Sequence, residues 1–288
     1  MIKPIKFNFD KDNNKDFIEH WDKKGFVIFE NFFSKNECDK LIKRSAELIE
    51  KTNLKENKTI FNTKNHAHSS DDYFLTSGDK IRFFFEEDVF DTTGNLKVEK
   101  KLAINKIGHA LHDLDPVFYK FSRNPKLKKL SEIIGFINPL LLQSMYIFKQ
   151  PKIGGEVVCH QDSTFLYTDP ESVVGFWVAL EDATIENGCM WACTGGHKGP
   201  LRKLYTRKDD VMVMKTLSKK PFDEVDTPLE ASKGSLILLH GRLPHQSGEN
   251  LSSKSRHAYT LHIIDGKYDY KSFNWLQRNN EFPLKGFN

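Results

Sequence analysis

The sequence predicts a mainly β fold with flanking helices, and two observations support this. From Leu140 onward, short apolar runs rich in β-branched residues are separated by turn residues such as Glu186-Asn-Gly188. Many short strands with turns between them are typical of a sandwich or barrel rather than of a parallel α/β sheet. Before that point, apolar residues recur mainly at helical spacing. We therefore predict one domain, residues 1–288, with a helix-rich part (1–139) and a β core (140–288).

Helices are predicted where apolar spacing coincides with start and stop signals. The best-marked one follows Ser34, with Glu37 three residues later as in a capping box. Glycines at 25 and 135 are suitable C-terminal stops. The predicted helices cover residues 16–24, 34–51, 116–121 and 126–134.

Strands are predicted from β-branched and aromatic runs bounded by turns. They cover residues 26–29, 81–85, 97–106, 141–148, 157–160, 173–180, 190–193, 235–240 and 257–264. The polar segment 52–79 is predicted to be a loop in which His66 and His68 are solvated, and whether it closes as a lid is left open. Residues 201–231 are predicted to be a long insertion between two core strands.

Composition limits the function classes. The formal charge of +4 arises from 43 basic and 39 acidic residues, which gives no nucleic-acid or membrane footprint. No apolar run has the length of a membrane span, and the N-terminus lacks the apolar core of a signal peptide. The four cysteines form no Cys-x-x-Cys pair, which favours reduced thiols. A cytoplasmic protein is the expectation.

The triplet His160-Gln161-Asp162 is the first candidate site. If residues 156–165 form one extended strand, His160 and Asp162 point to the same side. An imidazole and a carboxylate are two members of the 2-His-1-carboxylate triad that holds non-haem Fe(II) and leaves positions open. The second histidine is either His240 or His245, since both follow the apolar run 235–239.

Arg256 adds a candidate anion anchor downstream of both histidines. The order His-x-Asp, distant His, then Arg is that of the Fe(II)/2-oxoglutarate oxygenases. A 2-oxo acid chelates iron through its keto oxygen and one carboxylate, and its other carboxylate needs a fixed cation. The planar fork of an arginine matches that carboxylate.

The chain resembles the phytanoyl-CoA dioxygenase family over most of its length. The resemblance rests on these segments: Asn105-Lys-Ile-Gly-His-Ala-Leu-His112, Asp115-Pro-Val-Phe118, Gln143-Ser-Met-Tyr-Ile-Phe-Lys-Gln-Pro151, Gly154-Gly-Glu156, His160-Gln-Asp162, Phe165-Leu-Tyr167, Glu181-Asp-Ala183, Glu186-Asn-Gly-Cys189, Gly196-His197 and Asn274-Trp-Leu-Gln277. It implies a double-stranded β-helix core, the cupin-like jelly roll, and we expect His160 and His245 on opposite walls of one barrel.

The resemblance also implies roles for individual residues. His160, Asp162 and His245 are the implied iron ligands, and Arg256 is the implied anchor of the 2-oxoglutarate C5 carboxylate. The resemblance further implies that Lys106 is a second cation at the cosubstrate. It implies that Met145 and Trp177 line the same pocket and that His240 has a packing role.

The implied activity is that of an Fe(II)- and 2-oxoglutarate-dependent dioxygenase. Such an enzyme uses O2 to hydroxylate a small organic or lipid-like substrate, releases succinate and CO2, and is supported by ascorbate. The presence of Asp162 favours hydroxylation over halogenation, because related halogenases lack that carboxylate. Two alternatives are a metal- and 2-oxoglutarate-binding jelly-roll protein with a sensing role and a zinc hydrolase. The sequence leaves open the substrate, whether it is a CoA thioester, the regioselectivity and the oligomeric state.

Overall fold

Two β-sheets pack against each other, and helices cover the outer face of the larger sheet. The computed structural model describes residues 3–53, 59–61, 71–208 and 211–288. Its helices are α1 (Asn14–Lys24), α2 (Lys35–Lys51), α3 (Asp72–Leu75), α4 (Leu111–Leu114), α5 (Pro116–Ser122) and α6 (Pro125–Ile133). None of these described helices is long and apolar enough to cross a membrane.

The larger sheet has eight strands in the order β1-β2-β13-β8-β15-β5-β4-β3, and the smaller has four in the order β12-β9-β14-β6. The strands of the larger sheet are β1 (Lys6–Phe7), β2 (Phe26–Phe29), β3 (Ile81–Phe85), β4 (Ile104–His109), β5 (Pro139–Ile147), β8 (Val174–Ala179), β13 (Leu236–His240) and β15 (Ala258–Asp265). Those of the smaller sheet are β6 (Val157–His160), β9 (Met190–Ala192), β12 (Thr227–Leu229) and β14 (His245–Ser247). Two further pairs are β7 (Thr168–Asp169) with β16 (Asp269–Tyr270), and β10 (Lys203–Lys208) with β11 (Val211–Thr216).

Side-chain alternation divides the larger sheet into two faces. In β8, Phe176 and Val178 belong to the core beneath the helices, whereas Trp177 and Ala179 belong to the core shared with the smaller sheet. This is the two-residue period of a strand that is buried on both sides. Residues at the inner positions therefore face the space between the sheets.

Most predicted elements are confirmed. Helix α1 ends at Gly25, whose φ of 80° is the left-handed conformation that glycine tolerates. Helix α2 carries the predicted capping box between Ser34 and Glu37. Strand β6 has the predicted bounds. Apart from the strand predicted at 97–106, the other predicted strands differ from the observed ones by at most two residues at each end.

Three assignments were wrong. The strand predicted at 97–106 is instead a 3-10 turn at Lys100–Leu102 followed by β4, because the polar lysine-rich half lacks apolar side chains to bury. Within the predicted loop 52–79, residues 72–75 form α3, capped by the Asp71 side chain. His66 and His68 lie outside the described residues.

The third error concerns residues 201–231, which were predicted to be an insertion. They contain the β10–β11 hairpin and strand β12, which pairs with β9 in the smaller sheet. The lysine- and aspartate-rich sequence did not indicate these strands, because one side of the hairpin is exposed and tolerates charged residues. The predicted division at 139/140 remains a prediction, and strands β1 to β4 from the first part lie in the same sheet as the later strands.

Candidate metal centre

His160 and His245 are neighbours across two paired strands. Strand β6 ends at His160, strand β14 begins at His245, and the antiparallel register pairs the two residues directly. Their ring centroids are 4.4 Å apart. The expectation that they lie on opposite walls of a barrel is therefore wrong. Direct pairing places both rings on the same face of the smaller sheet, within reach of one ion.

Both imidazoles are held in the tautomer that a metal requires. Nδ1 of His160 lies 2.9 Å from the carbonyl oxygen of Val158, and Nδ1 of His245 lies 2.9 Å from that of Leu243. A carbonyl only accepts hydrogen bonds, so each Nδ1 carries the proton and donates it. The Nε2 lone pairs therefore remain available for a ligand bond.

Asp162 reaches the same point from a turn rather than from the strand. The condition considered for the triplet, one extended strand over residues 156–165, is not met, because β6 stops at His160 and residues 162–164 form a 3-10 turn. In this turn Oδ1 of Asp162 lies 3.5 Å from Nε2 of His160 and 3.7 Å from Nε2 of His245. The carboxylate therefore faces both imidazoles.

Gln161 fixes the position of that turn. Its side chain is fully buried, donates to the carbonyl of Arg242 at 2.7 Å and accepts from the backbone N–H of Arg202 at 2.9 Å. Both ends of the amide are therefore satisfied on the side facing away from the metal ligands. This anchoring explains why Asp162 has a defined position without a strand to hold it.

The three side chains fit one metal ion. Their donor atoms all lie within 4.8 Å of one another. Ligand bonds of about 2.1 Å place neighbouring donors roughly 3–3.5 Å apart, which is close to the separations between Asp162 and the two histidines. Two imidazole nitrogens and one carboxylate oxygen form the facial triad of non-haem Fe(II) sites, which leaves further coordination positions open.

The local electrostatics keep two of these groups in the form that binds a metal. Burial by itself raises the pKa of Asp162, but the nearby imidazoles of His245, His262 and His160 outweigh it and hold this pKa well below its ordinary value. Burial lowers the pKa of His245 to about 4. At neutral pH the carboxylate is therefore ionised and His245 is neutral, as metal ligation requires.

A cavity of about 290 Å³ opens beside the triad and brings together every residue predicted for this site. Its lining includes the triad and also Lys106, Met145, Trp177 and Arg256. Met145 and Trp177 both pair with Thr260, from β5 and β8 on the two sides of β15. The larger sheet therefore supplies these side chains, and the smaller sheet with its turn supplies the triad.

Arg256 is a buried cation aimed into this cavity. It is 2% exposed, and its guanidinium carbon lies 5.2 Å from the centre of the Trp177 ring. Its Nε and Nη1 atoms have no hydrogen-bond partner among the described residues. Burial lowers its pKa to about 10. Orphaned donors on a buried guanidinium are costly unless an anion binds there.

Lys106 is the second buried cation. It is 3% exposed, with Nζ 3.4 Å from the centre of the Phe61 ring and 3.7 Å from Sδ of Met145. No carboxylate of the described residues lies within ion-pair distance of it. Burial lowers its pKa well below the ordinary value. Its surroundings therefore suit an anionic ligand bound in the cavity.

Sequence reasoning missed several polar residues of the cavity, among them Ser247, Lys149 and His262. The Lys149 ammonium donates to the carbonyl of Gly155 at 2.6 Å and to Oγ of Ser247 at 3.0 Å, and burial lowers its pKa to about 7. Nε2 of His262 lies 3.3 Å from Oδ2 of Asp162. Strand period could have identified Ser247, two residues after His245. Lys149, just after β5, and His262, within β15, are single polar residues that follow no such pattern.

His240 lies outside the cluster, as its predicted packing role requires. Its ring is 5.6 Å from that of Trp21 and 5.0 Å from that of His197, and its Nδ1 accepts from the backbone N–H of Arg242. The ambiguity between His240 and His245 is therefore resolved geometrically. Only His245 reaches the other two donors.

Comparisons with known proteins agree with this geometry. A family model described as phytanoyl-CoA dioxygenase (PhyH) matches residues 21–258. A phytanoyl-CoA dioxygenase of Arabidopsis thaliana is 46% identical over 264 residues, covering 91% of this chain and 93% of the relative. A phytanoyl-CoA dioxygenase domain-containing protein 1 of Danio rerio is 43% identical over 278 residues, covering 93% and 96%.

Solved structures show the same fold at low sequence identity. The epimerase SnoN, solved with Fe3+, alpha ketoglutarate and nogalamycin RO, has a TM-score of 0.63 and 14% identity, covering 94% of this chain and 98% of its own. The alpha ketoglutarate dependent carbocyclase SnoK from nogalamycin biosynthesis has a TM-score of 0.61 and 17% identity, covering 98% and 99%. The predicted double-stranded β-helix, a cupin-like jelly roll, is confirmed.

The family match and the curated relatives show that the chain is a dioxygenase, in agreement with the predicted enzyme class, and the two solved structures add the fold. Within that class the chain belongs to the phytanoyl-CoA dioxygenase family, because the family model covers most of its length and relatives over 40% identical span nearly all of it.

The burial of Lys106 predicts a cost in stability to the ligand-free protein. Replacement by methionine, which is apolar and similar in length, should raise the free energy of unfolding at pH 7 by about 1–3 kcal/mol, because no buried charge is left without an anion. Urea denaturation of the metal-free, cosubstrate-free protein measures this. The exposed Lys43→Met variant on α2 is the matched control and should change little.

The lowered pKa of Lys106 determines how the free energy of unfolding changes with pH. Between that value and the ordinary 10.5 of the unfolded chain, the unfolded state binds one more proton, so the wild-type free energy of unfolding rises with pH. Lys106→Met should reduce this slope and gain most at lower pH. Equal stability of the two proteins across the range would contradict an unpaired buried ammonium.

Proposed function

We propose that the protein binds Fe(II) at His160, Asp162 and His245, binds 2-oxoglutarate beside it, and uses O2 to hydroxylate a small organic or lipid-like substrate. Succinate and CO2 are the coproducts, so one oxygen atom enters the substrate and the other enters succinate. The observation that carries the proposal is that a three-ligand cluster and two buried cations share one cavity.

The cations match the charge of the cosubstrate. 2-Oxoglutarate is a dianion with carboxylates at both ends, and only one end chelates the metal together with the keto oxygen. The far carboxylate needs a donor pair in a fixed plane, and the planar guanidinium of Arg256, whose Nε and Nη1 have no partner among the described residues, can offer such a pair. The ring of Trp177 below the guanidinium limits its orientation.

Lys106 adds a point charge on the same ligand from β4. An ammonium on a flexible stem forms less directional contacts than a guanidinium, so its contribution is mainly Coulombic. Lys149 also lines the cavity, where it donates to Gly155 and Ser247. The buried Glu86 also lines this cavity and lies near Arg256 and Lys149, but neither Arg256 nor Lys106 forms a salt bridge with any described residue.

Bound Fe(II) supplies the site at which O2 is reduced while 2-oxoglutarate loses CO2 and the substrate C–H bond is oxidised. The protein residues orient the reactants and exclude water. Asp162 and the two histidines would hold the ion through three donor atoms and would leave further coordination positions for the cosubstrate and O2. The aromatic wall formed by Phe74, Phe165, Tyr205 and Trp275 makes the remaining space apolar.

That aromatic wall supports a substrate with an apolar body. Phe74 on α3 stacks on Trp275 with ring centroids 4.6 Å apart, and Phe165 packs against Tyr205 of the β10–β11 hairpin at 5.8 Å. Apolar lining with a few convergent polar groups is typical of small-molecule sites. A cytoplasmic location and a supporting role for ascorbate remain predictions.

Asp162→Ala tests the ligand assignment. The change removes the anionic ligand of the proposed site, so iron content after anaerobic reconstitution and succinate formation from 2-oxoglutarate should both fall by at least about 100-fold. Mass spectrometry of bound iron and chromatography of succinate provide the two measurements.

The control is the exposed Asp223→Ala, which should behave as wild type. Undiminished succinate formation in Asp162→Ala would assign the reaction to a different carboxylate. A wild-type protein that retains iron and 2-oxoglutarate yet forms no succinate would instead favour the sensing alternative.

Arg256→Lys tests the cosubstrate anchor. Loss of the two-pronged, charge-assisted contact should weaken 2-oxoglutarate binding by about 1.5–3 kcal/mol, or roughly ten- to a hundredfold. Lys106→Ala should cost less. Iron binding should survive both changes because neither residue belongs to the triad.

The measurement is the apparent 2-oxoglutarate affinity in the uncoupled decarboxylation assay, with iron content determined in parallel. Arg207→Lys, at an exposed position of the hairpin, is the matched control. Wild-type cosubstrate affinity in Arg256→Lys would refute the anchor, and iron lost together with affinity would indicate structural damage.

A further inference from the structure

The two oxygens of the Asp162 carboxylate have different neighbours. Oδ1 is the oxygen near the ligand imidazoles, 3.5 Å from His160 and 3.7 Å from His245. Oδ2 lies on the other side, 3.3 Å from Nε2 of His262. The carboxylate therefore has one oxygen toward the proposed metal position and the other toward a third imidazole.

His262 reaches this carboxylate from the opposite sheet. It lies in β15 of the larger sheet, whereas the triad belongs to the smaller sheet and to the turn that follows β6. In β15, Leu261 and Ile263 pack in the core beneath the helices, so the alternation of the strand directs His262 into the space between the sheets. The contact therefore spans the two layers at the metal centre.

The His262 imidazole makes its polar contact through one nitrogen, Nε2. His262 is 7% exposed, and its Nδ1 has no hydrogen-bond partner among the described residues. An ionised carboxylate only accepts, so a hydrogen bond at this contact requires the proton on Nε2. Packing alone does not explain a buried histidine that directs one nitrogen at a carboxylate while the other has no partner among the described residues.

Gly175 leaves room for the contact. It pairs with His262 in the register between β8 and β15. A Cβ atom at Gly175 would lie 3.4 Å from Oδ2 of Asp162 and 3.6 Å from Nε2 of His262. A larger side chain would therefore extend into the space where the imidazole and the carboxylate meet.

We propose that His262 is a positioning residue, which donates a hydrogen bond from Nε2 to Oδ2 of Asp162 and so leaves Oδ1 as the single metal-binding oxygen. A carboxylate without this bond is free to rotate and to bind through both oxygens. Binding through both oxygens would occupy a coordination position that the cosubstrate or O2 needs. Hydrogen bonds to ligating carboxylates have this orienting role in metal sites generally.

The inference rests on the proposed metal site, and its test requires metal binding alone. Chelator-treated protein is titrated with Co(II), and visible absorption reports both the affinity and the coordination geometry. The amide nitrogen of Gln reaches the position of Nε2, whereas that of Asn reaches only the position of Nδ1. We expect His262→Asn and His262→Leu to weaken Co(II) binding about 10- to 100-fold and to alter the spectrum, and His262→Gln to restore most of both.

Three comparisons decide the outcome. Wild-type affinity and spectrum in His262→Leu, or equal losses in His262→Gln and His262→Asn, would overturn the positioning role. Near-UV circular dichroism of each metal-free variant checks the fold, and the Gln-to-Asn comparison replaces the Leu variant if that one does not fold. His240→Leu removes a half-buried histidine outside the site and should bind Co(II) as wild type does. Failure of the wild-type protein to bind Co(II) would contradict the metal site itself.

Discussion

The pairing of β6 with β14 is the constraint on which the site depends. It sets His160 directly opposite His245, and both imidazoles then present Nε2 because each Nδ1 is held by a carbonyl of its own chain segment. A one-residue slip of this register would turn one ring to the other face of the sheet and separate the donors. The turn anchored by Gln161 adds the carboxylate at the same end of the strand pair. The metal site is thus a property of the register of two short strands.

The buried cations of the cavity lower the stability of the ligand-free protein, and binding of an anionic ligand offsets this loss. Lys106, Lys149 and Arg256 are buried cations whose pKa values burial lowers. Carboxylates such as Glu86 lie near Lys149 and Arg256, but none of the three cations forms a salt bridge among the described residues. Such groups reduce the stability of the ligand-free fold and favour the binding of a dianion. The eight-stranded sheet, packed on one face against the helices, supplies the stability that tolerates them.

Much of this arrangement follows from sequence, and the exceptions have physical reasons. Helix α2 was predictable because its capping box and apolar stripe are local signals, and β6 because its β-branched residues precede the triplet. The location of His245 beside His160 was not, because strand pairing depends on contacts between distant segments. The β10–β11 hairpin was missed because its exposed lysines resemble those of a loop. His262 was missed because a single histidine in an apolar strand shows no pattern until the facing carboxylate is located.

The central claim is that one metal ion and 2-oxoglutarate bind next to each other at this site. The most direct test is anaerobic calorimetric titration of 2-oxoglutarate into the protein with and without saturating Mn(II), which replaces Fe(II) without turnover. We expect one metal per chain and a 2-oxoglutarate affinity at least about tenfold higher with metal, equivalent to about 1.4 kcal/mol of coupling. Equal affinity in the presence and absence of metal would contradict a shared site.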